Sequence, residues 1–168
     1  MVEYTVTYLE MKARPSYPRP QLPPGPPAAL LHAEKPPVWY FLSLYDAVGS
    51  QYLWTDKHEE SEEALRDFVQ HPDMALYTLI SQGWPAGFFM LDRREAGICD
   101  LAYFGLVPER LGKGYGKYLL QAAVHMGWDG AGVEKLTVET CSLDHPRALG
   151  LYQSAGFEPV RQEQKTRG

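Results

Sequence analysis

The stretch that decides the fold is Val107–Lys117, VPERLGKGYGK, in which glycines stand at positions 112, 114 and 116. It follows the strand-like segment Ile98–Val107 and leads directly into Tyr115–Trp128, where apolar residues recur at helical spacing. Glycines let the backbone approach a ligand closely and turn its amides towards one point, and the helix N-terminus adds partial positive charge. The stretch therefore predicts a pyrophosphate-binding loop between a strand and a helix.

Two common nucleotide-binding motifs do not fit this loop. The pattern GxxxxGK[ST] fails because Lys117 is followed by Tyr118 and position 111 is leucine. The dinucleotide pattern GxGxxG fails because Lys117 or Leu119 stands where its third glycine belongs. Lys113 and Lys117 add positive charge that suits a phosphate. The alternative interpretation is a glycine-rich helix entry that binds nothing.

Length and composition indicate one globular domain over residues 1–168. Hydrophobic residues make up 45% of the chain and charged residues 22%, which is typical of a well-cored protein. The net charge of −5 argues against a nucleic-acid partner, because phosphates require a basic surface. No apolar run approaches the roughly 20 residues that span a bilayer, and MVEYTVTYLEMKAR at the N-terminus lacks an apolar signal core. We therefore expect no membrane partner and a cytoplasmic location.

Metal binding and cysteine chemistry are not indicated. The five histidines show no metal-ligand spacing, so no metal site is expected. Cys99 and Cys141 form no CxxC pair and lie in strand-like segments, which favours two reduced, buried thiols, with a disulfide as the alternative. Cys141 precedes His145 by four residues. Nucleophilic Cys–His chemistry requires no such spacing, so the pair does not by itself indicate a catalytic thiol.

The rest of the chain predicts meandering strands followed by strand–helix–strand–helix–strand, a mixed α/β order. Residues 14–37 are the exception, because nine of the fourteen prolines lie there and proline lacks the amide donor and fixes φ. We expect this proline-rich insertion to be an ordered surface wrap or a flexible flap. The predicted strands are 4–11, 75–81, 86–91, 98–107, 136–141 and 158–165, and the predicted helices are 38–48, 61–70, 115–128 and 146–154.

Two motifs resemble those of the GCN5-related N-acetyltransferase (GNAT) family. The family's motif A is a strand, then [Q/R]-x-x-G-x-[G/A], then a helix, and Leu111–Gly116 (LGKGYG) departs from it only at the first position. Leu111 removes a side-chain contact to phosphate, for which the neighbouring Arg110 is a possible substitute. Motif B reads roughly N-x-x-A-x-x-x-Y-x-x-x-G-F, and His145–Phe157 (HPRALGLYQSAGF) matches it with histidine at the usual asparagine.

The resemblance implies a mixed, mostly antiparallel central sheet with helices on both faces and a V-shaped gap between the strands of the two motifs. Residues 98–157 then form the acetyl-CoA-binding core, with the pyrophosphate on the glycine loop. It also implies direct acetyl transfer from acetyl-CoA to an amine in a ternary complex, without an acyl-enzyme. The residues expected to bind acetyl-CoA are Phe104, Gly105, Leu106, Val107, Leu111, Gly112, Lys113, Gly114, Tyr115, Gly116, Lys117, His145 and Tyr152.

Two residues are expected to be catalytic. In the family, a tyrosine at the position of Tyr152 typically protonates the departing CoA thiolate. Asp100 is the only acidic residue of its predicted strand, where alternation places it on one face with Ala102 and Phe104. A lone carboxylate there is costly to bury without a role, so we expect it to be the base or to position a water. Glu139 is the next candidate, and an amine that arrives deprotonated needs no base.

The acceptor is expected to be an amine of a small molecule or peptide, in a pocket built from Val38–Trp54 and the proline-rich insertion. Residues 1–103 carry eight basic and fourteen acidic side chains, a balance that weakly favours a cationic substrate. The resemblance is compatible with a homodimer. Two alternatives stay open: a non-catalytic acyl-CoA-binding sensor or regulatory module, and an interaction protein whose proline-rich arm binds an aromatic groove.

Overall fold

One seven-stranded sheet organises the chain in the computed structural model, which describes residues 1–168. No helix has both the length and the hydrophobicity needed to cross a membrane. The strands are β1 Val2–Met11, β2 Ala28–Ala33, β3 Met74–Ser81, β4 Trp84–Asp92, β5 Ile98–Leu106, β6 Lys135–Cys141 and β7 Glu158–Arg167. The helices are α1 Val38–Gly49, α2 Glu62–Val69, α3 Tyr115–Trp128 and α4 Ala148–Ser154, with 3₁₀ turns at Ser50–Tyr52, Asp56–Glu59 and Pro108–Arg110.

The strand order is β2-β3-β4-β5-β6-β1-β7. Only β5 and β6 run parallel to each other, and every other neighbouring pair is antiparallel. The parallel pair is joined through α3, as expected because parallel neighbours need a long crossover connection. The predicted mixed, mostly antiparallel α/β fold is confirmed.

Helices cover both faces of the sheet, also as predicted. On one face α1 and α2 enclose a cluster that includes Phe41, Leu65 and Phe88. On the other face α3 and α4 enclose a larger cluster that includes Leu119 and Phe157. The two clusters fix β4 and β5 from both sides, so the middle of the sheet is a rigid base for a site.

Strand β1 lies between β6 and β7, although it is the first strand in the sequence. Val6 of β1 lies opposite Cys141 on β6. On the other edge of β1, Val2 lies opposite Arg167 on β7. The pairing with β7 extends over nearly the whole of both strands. Consequently β6 has β1 as its neighbour on the side opposite β5. Because β1 is distant in the sequence, the residues around β6 do not predict this pairing.

The proline-rich insertion is a surface wrap over the C-terminal end of α3. The Tyr17 hydroxyl donates to the Ala155 carbonyl at 2.7 Å. His125 Nε2 donates to the Tyr17 carbonyl at 3.0 Å, and Arg19 forms an ion pair with Asp129. These contacts tie the wrap to the end of α3 and to the residue that follows α4, so we infer a stabilising role for it.

Part of the insertion is a strand that the proline content concealed. Ala28–Ala33 forms β2 and pairs antiparallel with β3, with Leu31 opposite Thr78. It is an edge strand, where flanking prolines are tolerated because one side of the strand has no partner. The predicted strands therefore omit β2, the first strand of the β2–β3–β4–β5 meander.

Candidate active site

Strands β5 and β6 form a fork. They pair at three positions only, of which Asp100 opposite Thr137 is the last. Beyond it β5 remains paired with β4 as far as Leu106, while its other edge faces open space. A cleft of about 440 Å³ fills the fork. The backbone of β5 along this edge is therefore free to hydrogen-bond a ligand.

The glycine loop closes one end of the cleft. Leu111, Gly112 and Gly116 line it. Gly112 and Gly114 have φ angles of 75° and 85°, a region that disfavours side chains, and no atom lies within 4 Å of where their Cβ atoms would stand. This open backbone, followed at once by the N-terminus of α3, fits a pyrophosphate.

The charged and aromatic residues of the loop divide into two groups. Lys113 and Lys117 are exposed and form no ion pair, so they are available to phosphates outside the cleft. The Tyr115 side chain points into the core, where its hydroxyl hydrogen-bonds Ser81 Oγ at 2.9 Å. Tyr115 can therefore offer only its backbone to a ligand.

Arg110 does not replace the side chain that Leu111 lacks. Its guanidinium is buried and donates to Gln82 Oε1 and to the Ser81 carbonyl, both at 2.8 Å. It also lies 3.7 Å over the Trp84 ring. Arg110 thus fastens the glycine loop to the β3–β4 turn, and the phosphate contact expected of a residue at position 111 is absent.

Of the β5 residues expected to bind acetyl-CoA, Phe104, Gly105 and Leu106 line the cleft, whereas Val107, which follows the strand, does not. The Val107 amide donates to the Ala86 carbonyl at 2.9 Å, and its side chain is buried in the α1–α2 cluster. Val107 is therefore corrected from a ligand contact to a packing residue, because the chain has already turned back towards β4.

Tyr152 lines the cleft from α4, and His145 lines it from the loop before that helix. The Tyr152 ring packs edge-on against Phe104 and Phe157, and the hydroxyl makes no hydrogen bond within the protein. Burial, followed by the charges of Asp144 and Asp100, raises the pKa of Tyr152. The phenol consequently keeps its proton at neutral pH.

Asp100 lies outside the cleft, contrary to the alternation argument. Met90 pairs with Tyr103 but Leu91 pairs with Leu101, so Ala102 is a bulged residue that reverses the alternation. Asp100 instead accepts a hydrogen bond from Thr137 Oγ1 at 2.6 Å, at the closed end of the fork. Burial raises its pKa to about 6.

The far end of the cleft has aromatic walls. Val48, Tyr52 and Trp54 approach from the end of α1 and the turn after it, and Tyr103 from β5. The segment Val38–Trp54 therefore contributes to the cleft as expected. The proline-rich insertion does not, because the wrap packs over α3 instead. Trp39, another aromatic of this segment, is 67% exposed and lies outside the cleft.

Asp144 holds the aromatic end together. Its Oδ1 accepts from Trp54 Nε1 at 3.2 Å, and its Oδ2 accepts from Thr140 Oγ1 and the Cys141 amide. The Trp54 ring packs against Gly49, where any side chain would overlap it. The loop after β6 and the turn after α1 are thereby joined across the cleft.

Glu139 is the other carboxylate of the cleft, and it has no hydrogen bond or ion pair within the protein. Arg147 is the one guanidinium in the lining.

Sequence reasoning missed Tyr103, Asp144 and Arg147 as cleft residues. The position of Asp144 and Arg147 between a strand and a helix, next to His145, was the signal that could have indicated them. Cys141 is not in the lining, and burial raises the pKa of its thiol.

Residues 41–157 match the family model of the acetyltransferase (GNAT) family, which is more than half of the chain. No curated protein matches significantly. One similar solved structure is a tandem GNAT protein from the clavulanic acid biosynthesis pathway, with 14% identity and a TM-score of 0.67 over 94% of this chain and 51% of that one. Another is a GCN5-related N-acetyltransferase from Sphaerobacter thermophilus, with 17% identity and a TM-score of 0.64 over 96% and 51%.

This chain thus spans about half the length of those two proteins. The aminoglycoside N-acetyltransferase AAC(6')-Iy, solved in complex with CoA, is 18% identical, with a TM-score of 0.60 over 88% of this chain and 99% of that one. Likenesses at such low identity show a shared fold, and the family-model match adds the family itself. The chain belongs to the GNAT family of acetyltransferases.

Proposed function

We propose that this protein is an N-acetyltransferase that transfers an acetyl group from acetyl-CoA to a primary amine. The observation that carries the proposal is the fork, which runs from the glycine loop past Tyr152 to an aromatic end containing Glu139. Acetyl-CoA supplies the acetyl group as a thioester. We assign its binding to the core 98–157 within a single domain, 1–168, and regard 14–37 as an insertion outside the site.

The glycine loop and β5 would hold acetyl-CoA at successive points. Backbone amides of Gly112–Gly116 and the N-terminus of α3 suit the pyrophosphate. Lys113 and Lys117 would add charge at the surface, in place of the missing contact at Leu111. The free edge of Phe104–Leu106 suits the amide-rich arm and the thioester carbonyl, because fixed backbone donors stabilise developing negative charge without reorganising.

Tyr152 would act as the general acid. Its raised pKa keeps the phenol protonated, and its hydroxyl has no protein acceptor to compete for the proton. When the carbon–sulfur bond breaks, Tyr152 can donate its proton to the thiolate. Phe104 and Phe157 hold the ring in place, so the hydroxyl does not need to be oriented by a hydrogen bond.

Glu139 replaces Asp100 as the residue we propose to receive the proton lost by the amine, directly or through a water. It lines the cleft, whereas Asp100 does not and is itself the last paired position at the closed end of the fork. No acyl-enzyme is required: the Cys99 thiol is fully buried, and the raised pKa of Cys141 disfavours the thiolate that would act as a nucleophile.

The test is release of free thiol from acetyl-CoA over a panel of amines, with wild type beside Tyr152→Phe. We expect turnover of at least one amine, a fall in kcat of about 100-fold or more in the variant, and unchanged acetyl-CoA binding by calorimetry. Tyr118→Phe is the matched control, because this half-buried tyrosine lies on α3 outside the cleft.

Binding of acetyl-CoA without acetylation of any amine would favour the non-catalytic binding module instead. Failure to bind acetyl-CoA would contradict the assignment of the glycine loop.

A further inference from the structure

The aromatic end of the cleft offers flat apolar surface. Tyr52, Trp54 and Tyr103 line it together with the Val48 side chain. Trp54 is fixed by Asp144, and Tyr103 is packed against Trp54 at a ring distance of 5.6 Å. The Tyr52 ring lies edge-on to the His145 ring, with the ring centroids 6.2 Å apart. Such preorganised rings favour a flat apolar group over a flexible polar one.

Only one carboxylate at this end is free to bind an ammonium group. Asp144 uses both oxygens for Trp54, Thr140 and the Cys141 amide. Asp46 on α1 and Asp56 on a following 3₁₀ turn are paired with His58 and Arg167. Glu139 is left as the single unpaired carboxylate in the lining.

Charges of both signs lie near Glu139 on the open face of the sheet. Its partner across the strand pair is Tyr8, whose ring lies 3.7 Å from the Arg161 guanidinium. The Tyr8 hydroxyl donates to Glu163 at 2.9 Å, and Glu163 also pairs with Arg161. Arg147 lines the same cleft. The lining thus holds one unpaired carboxylate and one unpaired guanidinium, and that of Arg147 would repel a further ammonium group once Glu139 had bound the first.

We propose that the acceptor is a small primary amine with one positive charge and a flat apolar body, of the type of an aromatic ring on a short carbon chain. This inference rests on the proposed acetyl transfer and specifies its substrate class. Glu139 binds the ammonium group and Tyr52, Trp54 and Tyr103 cover the ring. Polycations such as polyamines and aminoglycosides are disfavoured, because the lining offers one unpaired carboxylate and also carries Arg147.

The experiment compares ethylamine, 2-phenylethylamine, spermidine and kanamycin at saturating acetyl-CoA, with thiol release as the readout. We expect kcat/KM for 2-phenylethylamine to exceed that for ethylamine by about 10-fold or more, because burying a ring is worth more than the free energy of a tenfold change. Spermidine and kanamycin should be poorer than 2-phenylethylamine by at least a similar factor. Calorimetry with 2-phenylethylamine on the protein saturated with CoA gives a second readout.

Two variants locate the recognition. Tyr52→Ala should remove most of the preference for 2-phenylethylamine over ethylamine and leave the acetyl-CoA KM unchanged. Glu139→Gln should lower kcat/KM for every amine. Glu3→Gln is the matched control, because this exposed carboxylate on β1 lies outside the cleft. Melting temperatures check that each variant is folded.

The outcomes separate the two proposals. Better turnover of spermidine or kanamycin than of 2-phenylethylamine overturns the substrate class and leaves acetyl transfer standing. Calorimetric binding of 2-phenylethylamine that depends on Tyr52, without turnover of any amine, supports the acceptor site and overturns the transferase. Absence of both binding and turnover overturns the substrate class and the transferase together.

Discussion

The two ends of the cleft are built from different parts of the chain. At the glycine loop the lining is largely backbone, with Gly112 and Gly116 exposing amides beside a helix N-terminus. At the other end the lining is side chain: Tyr52 and Trp54 from the turn after α1, and Glu139 from β6. Backbone binds the features that every acyl-CoA shares, whereas side chains can vary without disturbing the fold. We therefore expect cofactor use to be robust at one end and acceptor specificity to reside at the other.

The largest effect that tests this division is expected from Gly112→Ala. Alanine at a φ of 75° is strained by roughly 1–2 kcal/mol, and the loop would have to move away from the pyrophosphate to relieve it. We expect the KM for acetyl-CoA to rise about 10-fold, as that strain implies, while the KM for the amine changes little. Steady-state kinetics with each substrate varied in turn measures both.

Gly132→Ala is a matched control for that variant. Gly132 has a φ of 71° and equally free surroundings, but it lies in the loop before β6, outside the cleft. It should cost similar stability and leave both KM values unchanged. Equal kinetic effects of the two substitutions would mean that strain alone, rather than phosphate binding, explains the Gly112 result.

An intermediate effect is expected from Asp100→Asn, which tests whether Asp100 belongs to the acceptor end of the cleft. Because burial raises the Asp100 pKa to about 6, the folded protein binds this proton more tightly than the unfolded chain. The ionised carboxylate therefore lowers stability above pH 6, and this penalty disappears as pH falls below the ordinary aspartate pKa near 3.8. Asparagine can still accept from Thr137, so the melting temperature should exceed that of wild type by a few degrees at pH 8 and converge on it near pH 4.

Thermal melts across this pH range, beside Asp67→Asn on the exposed side of α2, measure the Asp100 effect. A gain that did not depend on pH would contradict the charge explanation. The kcat of Asp100→Asn should remain within a few-fold of wild type. A fall of 100-fold would show that the base lies at the closed end of the fork, and would move the proposed role from Glu139 back to Asp100.

The glycine loop and Tyr152 could be located from sequence because each belongs to a short motif whose residues are close in the chain. The position of Asp100 outside the cleft could not be predicted, because the bulge at Ala102 is a property of β5 paired with β4. Counting alternate residues assumes a regular strand. The role of Arg110 was hidden for a similar reason, since its partners Ser81 and Gln82 lie on a distant turn.

The acceptor end was only partly predictable. The aromatic segment 38–54 was identified from the sequence as part of the acceptor pocket. Composition alone, however, does not distinguish an aromatic side chain buried in the core from one that lines a cleft. What separates Tyr45, which is buried, from Trp54 is the hydrogen bond of Trp54 to Asp144, a residue from the other end of the sequence. The insertion was assigned to the acceptor pocket because of its composition, and its contacts with α3 place it elsewhere.

The smallest effect is expected from Asp129→Ala, which tests whether the wrap is independent of both ends of the cleft. Arg14 and Arg19 both bind Asp129, and all three side chains are 41–56% exposed. Pairs with such exposure contribute about 1 kcal/mol or less. Urea unfolding should show a loss of that size, with both KM values unchanged. A raised KM for the amine would restore the insertion to the acceptor pocket.

The position of β1 determines when during folding the cleft can form. The side chains of Tyr8 and Glu163 hydrogen-bond although they are 155 residues apart in the sequence. Contacts across such separations slow folding, and until they form, β1 presents two unpaired edges and the apolar Leu9 and Met11 to other nascent chains. Because β1 also supports β6, which carries Glu139, assembly of the acceptor end is a late event. A chain interrupted during synthesis would therefore contain the glycine loop without the complete cleft.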